Sequence, residues 1–263
     1  MAGFLHGIET VEVDGGIRPI QAVRSSVIGL IGTAPDADVD RFPLNEPVLI
    51  AGRRSDAAGI GETGTLPAAI DDIFDQAGAL IVGVRVEQAG TDPETIANVI
   101  GGIDGDTGAY EGVHAFLAAQ SSVAVTPKIL CAPGFGSTQS VVAELESIAP
   151  RLRAVVIADG PNTTDAEAVT FRANFGSDRV YIVDPWVKVF DTDAAIDVVR
   201  PVSARVAGLI ARIDDERGFW WSPSNQLIYG ITGVARPVEF GLSDQNSQAN
   251  LLNENEVATI VRR

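Results

Sequence analysis

The sequence is poor in the side chains that carry most enzyme chemistry. Its 263 residues include one cysteine, one methionine and two histidines. A single cysteine excludes an intramolecular disulfide and a cysteine-based zinc site, and Cys131 ends an apolar run, which is typical of a buried thiol. No apolar run reaches the ~18 residues of a membrane span. The residues after Met1 also lack the basic segment and continuous apolar stretch of a secretory signal peptide. We therefore expect synthesis in a cytoplasm and no membrane insertion.

Basic residues are also scarce. Lys and Arg number 19 against 35 Asp and Glu, which gives a formal charge of -16. Such a field repels nucleic-acid phosphates and anionic lipid, so neither is an expected partner. Hydrophobic residues reach 46%, which is enough to form a sizeable core.

Short apolar runs alternate with amphipathic stretches from Ser25 onward. The runs are rich in Val and Ile and close with Gly, Pro or Asp, as expected for strands covered on both faces. Helical periodicity marks four stretches, namely TLPAAIDDIFDQAG, TQSVVAELESIAPRL, TTDAEAVTFRANFG and RPVSARVAGLIARIDDERG. The alternation predicts an α/β fold with a mostly parallel sheet flanked by helices, an extended N-terminal β-arm and a smaller α+β subdomain.

The N-terminal arm, residues 1–22, contains one predicted strand. Apolar and polar side chains alternate there before the turn signal Asp14-Gly15-Gly16. The strand residues are Ile8, Glu9, Thr10, Val11, Glu12 and Val13. No strand adjacent in sequence can pair with them, so the arm is expected to join a distant sheet edge, which could belong to another chain.

The segment GFWWSPSNQLIYGITGVARPVEF holds two of the three tryptophans and no Cys, His or Asp. Phe219, Trp220 and Trp221 could form a ligand cage, or they could anchor an irregular crossover on the sheet while Ser224 and Asn225 satisfy loop amides. Burying one indole of ~200 Å² contributes several kcal/mol at ~25 cal/mol per Å². The sequence therefore favours a buried structural anchor.

Two motifs offer candidate chemistry near the ends of predicted strands. The Gly-rich APGFGSTQS, residues 132–140, occupies a strand-to-helix position where α/β proteins bind anions, but it lacks the lysine of a P-loop. Asp159 follows another strand, where α/β enzymes place catalytic acids. Neither motif has a partner base or metal ligand nearby, so we interpret the first as a structural turn and the second as a turn and cap.

The remaining candidates are weaker. His6 and His114 are far apart in sequence, and nothing local supports a catalytic triad. DGDTG, residues 104–108, resembles the start of a calcium loop but lacks the terminal Glu at the required spacing. The sequence therefore predicts no catalytic, cofactor-binding or metal-binding residue.

The order of motifs resembles a known family. The motifs begin with FLHGIETVEVDGGIRPI and continue with SSVIGLIGTAP, PVLIAG, APGFGS, RAVVIADGPNTT and YIVDP. The last two are GFWWSPSNQLIYGITGVARPVEF and ANLLNENEVATIVR. Together they are similar to the tail sheath proteins of contractile phage tails and R-type pyocins. The most specific parts are SPSN with GVARPVEF and the closing LLNENEVATIV. The resemblance implies a structural protein and not an enzyme.

The resemblance also implies a domain plan and partners. After the arm would come an N-terminal α+β part (23–110), an α/β sheath domain (111–240) and the start of a tube-facing C-terminal domain (241–263). Such sheath proteins continue past the position of Arg263. The implied partners are other copies of the chain, a tail tube protein, and baseplate and tail terminator proteins. The implied location is a virion or tailocin tail, assembled in the bacterial host cytoplasm.

The arm acquires a role in this context. Its strand would be donated to a neighbour's sheet, and Gly15 and Gly16 would act as a hinge. The alternative is a small α/β enzyme or nucleotide binder, in which Gly134 to Thr138 hold an anion and Asp159 acts as a base. That alternative predicts a perturbed acid in a concave pocket.

Overall fold

The computed structural model describes residues 26–192, 194–241 and 243–261. The predicted arm strand, its Gly15-Gly16 hinge and His6 lie outside these residues, so their predicted roles remain predictions.

The described residues form strands, α-helices and two 3-10 helices in alternation. The strands are β1 (Ile28–Thr33), β2 (Pro47–Ala51), β3 (Leu80–Val86), β4 (Gly102–Ile103), β5 (Tyr110–Glu111), β6 (Ile129–Cys131), β7 (Val155–Asp159), β8 (Val180–Val183), β9 (Val187–Asp191), β10 (Ile196–Arg200), β11 (Gly233–Val234) and β12 (Val257–Ala258). The α-helices are α1 (Leu66–Phe74), α2 (Asp92–Ile100), α3 (Ala119–Ser122), α4 (Gln139–Leu152), α5 (Asp165–Arg172), α6 (Ser203–Arg217) and α7 (Gln248–Glu254). The 3-10 helices are Arg54–Ala57 and Gly112–Ala118.

The main sheet has seven strands in the order β12-β8-β7-β6-β1-β3-β2. All neighbours pair in parallel except β2, which runs antiparallel to β3. The predicted α/β fold with a mostly parallel sheet is confirmed. The sheet also crosses the boundary predicted at residue 110, because β1 pairs with both β3 and β6. The main sheet thus takes strands from both sides of that boundary.

Helices cover both faces of this sheet and create two cores. On β1, Ile28 and Leu30 contribute to the core shared with α1 and α6, whereas Ile31 contributes to the core shared with α2 and α4. Successive strand residues point to opposite faces, so a strand buried on both faces needs apolar residues at every position. This is why the strands could be predicted as continuous apolar runs.

Helices α1 and α6 pack closely on one face. A Cβ on Gly208 of α6 would lie 2.8 Å from the Ile73 carbonyl oxygen, so only glycine permits this approach. The predicted end of α6 is also correct, since Gly218 follows it with φ of +95°.

A second, three-stranded sheet of order β10-β9-β11 is antiparallel. The alternation of apolar runs and amphipathic stretches predicted a mostly parallel sheet and did not anticipate this β9–β10 hairpin. Val187 and Val189 of β9 are buried, while Phe190 is 53% exposed. That alternation is typical of a strand with one solvent-facing side.

Candidate assembly surface

The aromatic segment does not form a buried anchor. Phe219 is 69% exposed, Trp220 72% and Trp221 49%, so the predicted burial of these rings is wrong for the described chain. Leu227 and Tyr229 are also largely exposed. These five side chains are called the aromatic surface below. The area of an indole gives the free energy that burial would contribute, but it does not reveal whether a covering surface exists.

Polar contacts hold the segment in place instead. The backbone of Tyr229 is bound at both polar groups, since its N–H donates to Gln76 Oε1 (3.0 Å) and its carbonyl oxygen accepts from Gln76 Nε2 (2.8 Å). The same carbonyl accepts from Arg205 Nη1 at 2.7 Å. Backbone groups of an irregular segment need such partners, and here Gln76, in the turn after α1, and Arg205 of α6 supply them. The loop is therefore fixed through its backbone, and its apolar side chains stay outside.

Arg205 is itself held by two carboxylates. Its Nη2 lies 2.6 Å from Asp72 Oδ1 and 3.0 Å from Asp75 Oδ2. The Arg205 side chain has no exposed surface, and Asp72 is nearly buried. Burial raises the pKa of the Asp72 carboxyl to about 6, although Arg205 and Arg200 favour its charged form. Asp72, Gln76 and Arg205, which together hold Tyr229, are called the polar clamp below.

Cations on α6 line the exposed rings. The Arg212 guanidinium lies 4.1 Å from the centre of the Tyr229 ring, and its Nη2 donates to the Leu227 carbonyl oxygen at 2.5 Å. Arg217 lies 5.2 Å from the centre of the Trp221 ring. Such cation–π contacts restrict the rings without burying them. The rings therefore have partners on the helix side and a free outer face.

The end of the segment has a second polar attachment. Arg236 forms ion pairs with Asp165 and with Asp184, whose side chain is fully buried. The other Asp184 oxygen accepts from the Asn162 N–H at 2.7 Å. Trp186, the third tryptophan, donates its indole N–H to the Gly160 carbonyl oxygen at 2.9 Å. Charged and polar groups thus fix this end too.

Asn225, the fourth predicted anchor residue, has φ of +59° and donates from Nδ2 to Ser224 Oγ at 3.3 Å. Asparagine tolerates this left-handed conformation better than most residues. Asn225 contributes to the local turn.

Asp159 is a cap, as predicted, although of a distant helix. Its Oδ1 accepts from the backbone N–H groups of Val202 and Ser203, both at 2.7 Å, and its Oδ2 accepts from Ser203 Oγ at 2.6 Å. These backbone N–H groups lie at the start of α6. The first N–H groups of a helix have no hydrogen-bond acceptor within the helix, so a capping side chain such as Asp159 satisfies them. Burial raises the pKa of the Asp159 carboxyl to about 6, against these hydrogen bonds. A fully buried, fully engaged carboxylate cannot meet a substrate.

The Gly-rich turn closes over this carboxylate. A Cβ on Gly136 would lie 2.7 Å from Asp159 Oδ2, so the turn packs directly on the cap. A cavity of about 550 Å³ lies beside the turn, at the carboxyl ends of β1, β3 and β6. Asp92 is the one charged residue among those lining it. The lining therefore supplies no cation to an anion, and the buried Asp159 is not accessible as the base that the enzyme alternative requires.

The other candidate motifs are structural. His114 Nε2 lies 2.8 Å from Glu144 Oε1 between the second 3-10 helix and α4. Asp104 caps its own loop by accepting from the N–H groups of Asp106 and Thr107, which lowers the pKa of its carboxyl. Among the described residues, no cluster of three or more His, Cys, Asp or Glu could hold a metal ion. In the same part of the chain, no helix is long and apolar enough to cross a bilayer.

Comparisons with known proteins decide the family. A family model described as the phage tail sheath protein central domain matches residues 108–263, and the N-terminal region of domain III of the Gp18 tail sheath protein matches residues 25–86. The chain belongs to the phage tail sheath protein family. A prophage protein of Pseudomonas aeruginosa (strain UCBPP-PA14), named as a major tail sheath protein, is 43% identical over 98% of this chain. The tail sheath protein of Escherichia phage P2 is 36% identical over 100% of it.

Solved sheath structures share the fold. The helical sheath of the anti-feeding prophage in its contracted state has a TM-score of 0.62 at 18% identity over 98% of this chain. The PVC sheath complex of an extracellular contractile injection system, also contracted, has a TM-score of 0.60 at 16% identity. The tail sheath chain spans 67% and 68% of the two curated relatives, and 65% and 64% of these two structures. The matched proteins are sheath components and not enzymes.

Sequence reasoning missed the polar clamp. Arg205 stands among the residues Val202, Val206 and Leu209, which the helical pattern assigns to the sheet-facing side of α6. A charged residue on an apolar face signals a buried ion pair, because such a charge is almost never buried without partners. That signal was present, but the identity of the partners depends on α1 packing against α6.

Proposed function

We propose that this chain is the main body of a sheath subunit that polymerises helically around a tail tube and contracts to drive the tube through a cell envelope. The supporting observation is 43% identity to a tail sheath protein over 98% of the chain, together with a shared fold. The proposed partners are other copies of the chain, the tail tube protein, and baseplate and terminator proteins. The proposed setting is a phage or tailocin tail assembled in the bacterial cytoplasm, with residues 241–263 leading toward the tube.

Contraction needs no bound nucleotide in this proposal. Contacts between different surfaces of identical subunits do not close into dimers, and they generate helices when repeated. If the extended helix is metastable, subunits release free energy when they move to better contacts. The three-layer body, with both faces of its sheet covered, would move as a rigid unit.

The arm is proposed to keep moving subunits connected. A donated strand from Ile8 to Val13 would pair with a neighbour's sheet edge, while Gly15 and Gly16 allow the body to rotate. A subunit held by several strands dissociates only when all of them release, so modest single links give a strong lattice.

Electron microscopy of the complete gene product tests this function. We expect the unaltered protein to form ordered hollow tubes. Deleting residues 1–16 or introducing Val11→Pro should abolish the tubes while leaving circular dichroism unchanged, since proline removes a ladder hydrogen bond and fixes φ. Val11→Thr is the matched control, because it changes the same residue and keeps strand propensity. Normal tubes from the deletion would contradict strand donation, and no tubes from the unaltered protein would contradict the sheath function.

A further inference from the structure

Basic side chains gather at the amino ends of three adjacent strands of the main sheet. Lys128 precedes β6, Arg153 precedes β7 and Arg179 precedes β8. These strands are parallel neighbours in the order β8-β7-β6, so their amino ends lie at one edge of the sheet. Arg151 lies in the last turn of α4, shortly before Arg153. Lys128, Arg151, Arg153 and Arg179 are called the basic edge below.

The backbone turn between α4 and β7 brings these cations together. Lys128 Nζ donates to the Leu152 carbonyl oxygen at 2.6 Å, and Arg179 Nη1 donates to the Ala154 carbonyl oxygen at 3.2 Å. Arg153 is the residue between these two carbonyl groups. Burial, and next the charge of Arg153, lower the pKa of the Lys128 ammonium. The cations are therefore close enough to repel one another.

Most of the hydrogen-bonding capacity of the basic edge is unused. Within the part of the chain that the structure describes, none of its four side chains forms an ion pair, not even with Asp178 beside Arg179. The carbonyl groups after α4 take one donor from Lys128 and one from Arg179, whereas an ammonium has three N–H donors and a guanidinium five. The carboxyl end of a helix supplies only about half a negative charge, so it does not balance four cations.

Arg153 also occupies a backbone position that favours glycine. It follows α4 with φ of +53° and ψ of +45°, in the left-handed region. A side chain raises the energy of this conformation, and glycine is the usual residue after a helix that ends in this way. Ending α4 therefore does not explain an arginine there. Residues held in such conformations cluster at functional sites.

We propose that the basic edge binds a small multivalent phosphate anion. A phosphate group carries up to about two negative charges and several acceptor oxygens, which suit two guanidinium groups and an ammonium. The formal charge of -16 repels extended polyanions, but charges more than ~8 Å away are largely screened at 0.15 M salt, so a small anion responds mainly to the four local cations. The site lies at the opposite edge of the sheet from the cavity beside the Gly-rich turn, and it does not depend on the sheath function.

Isothermal titration calorimetry of the 263-residue chain with sodium tripolyphosphate tests the proposal. We expect saturable binding that weakens as NaCl increases from about 50 to about 200 mM. Arg179→Gln should weaken binding about tenfold, as the loss of one charge-assisted hydrogen bond does. Arg53→Gln is the matched control, because Arg53 is an exposed arginine that follows β2, the strand at the far end of the sheet. It should leave the affinity nearly unchanged.

Arg153→Gly separates binding from folding. It should weaken tripolyphosphate binding about tenfold and leave the urea unfolding midpoint unchanged or raised, because glycine relieves the left-handed conformation. The proposal would be overturned by the absence of saturable binding, or by losses in Arg179→Gln and Arg153→Gly no larger than in Arg53→Gln. Cosedimentation with phosphatidylglycerol vesicles that requires the basic edge would also overturn it, because the ligand would then be a membrane surface and not a small anion.

Discussion

The polar clamp holds the loop that carries the aromatic surface, and the two reverse the usual relation between polarity and burial. Arg205 is fully buried and Asp72 nearly so, whereas Trp220 is 72% exposed. Burying a charge costs free energy unless it is paired, and exposing an indole forgoes a favourable burial. This loop is therefore held through its backbone by side chains of α6 and of the turn after α1. Its apolar groups are left available for another surface.

The largest expected effect is at the centre of the polar clamp. Arg205→Met should lower the free energy of unfolding by about 3–5 kcal/mol, because it leaves Asp72 buried without its main cation and frees the Tyr229 carbonyl. Urea unfolding measures the change. Arg217→Met is the control, since its exposed cation–π contact with Trp221 is worth ~0.5–1 kcal/mol. A loss in Arg205→Met no larger than the ~0.5–1 kcal/mol expected of Arg217→Met would show that the clamp does not stabilise the fold.

The second effect concerns the glycine beside the clamp. Gly230 has φ of +70°, and a Cβ there would lie 2.7 Å from Arg205 Nη1. Gly230→Ala should destabilise the chain by about 2 kcal/mol through backbone strain and displacement of the guanidinium. Gly233→Ala, with no atom within 4 Å of the added Cβ, should change stability far less. Chemical denaturation of the pair gives the answer, and a similar loss at both sites would mean that the guanidinium shifts freely.

The buried Asp159 carboxyl should make the stability of the fold depend on pH, which the solvent-facing tryptophan rings cannot do because they do not titrate. Its pKa is 3.8 when unperturbed and about 6 in the fold. The folded state therefore binds the proton more tightly, so this carboxyl stabilises the fold below pH ~4, and that contribution is lost as pH rises through 6. Between pH 5 and 7.5 the loss amounts to about 1 kcal/mol.

Asp159→Asn should remove this pH dependence. We expect the difference in unfolding free energy between the unaltered chain and the variant to shift by about 1 kcal/mol in favour of the variant between pH 5 and 7.5. Carboxyls distant from Asp159 titrate equally in both proteins and cancel in that difference. Urea midpoints at several pH values test it, and a constant difference would indicate that Asp159 keeps an ordinary pKa.

Most of the fold could be predicted from the sequence, because its signals are local. Continuous Val- and Ile-rich runs specify strands buried on both faces, and the periodicity of α1, α4, α5 and α6 specifies which helix faces are covered. The capping Thr164, whose side chain accepts from the Glu167 N–H, was equally visible. The β9–β10 hairpin was missed because its short alternating strands resemble the end of a parallel run.

The site could be predicted only in part, because its contacts are long-range. Gln76 meets Tyr229 and Asp159 meets Ser203 across large sequence separations. No pattern within one segment specifies such partners. The aromatic side chains were noticed for their composition, but composition does not reveal whether a chain supplies its own cover. A buried arginine and an exposed tryptophan both depend on how α1, α6 and the loop pack together.

The smallest expected effect is at the exposed tryptophans. Replacing both exposed tryptophans, Trp220→Ser with Trp221→Ser, should change the free energy of unfolding by less than about 1 kcal/mol, because surface substitutions usually stay within ±0.5 each. Buried indoles would instead cost 3 to 5 kcal/mol each. The measurement is urea unfolding followed by far-UV circular dichroism, since the double variant keeps only Trp186 as an indole fluorophore. A loss of several kcal/mol would mean that residues outside the described ranges cover the rings within the same chain. An unchanged midpoint would show that the exposed rings contribute little to folding, in contrast to the buried clamp.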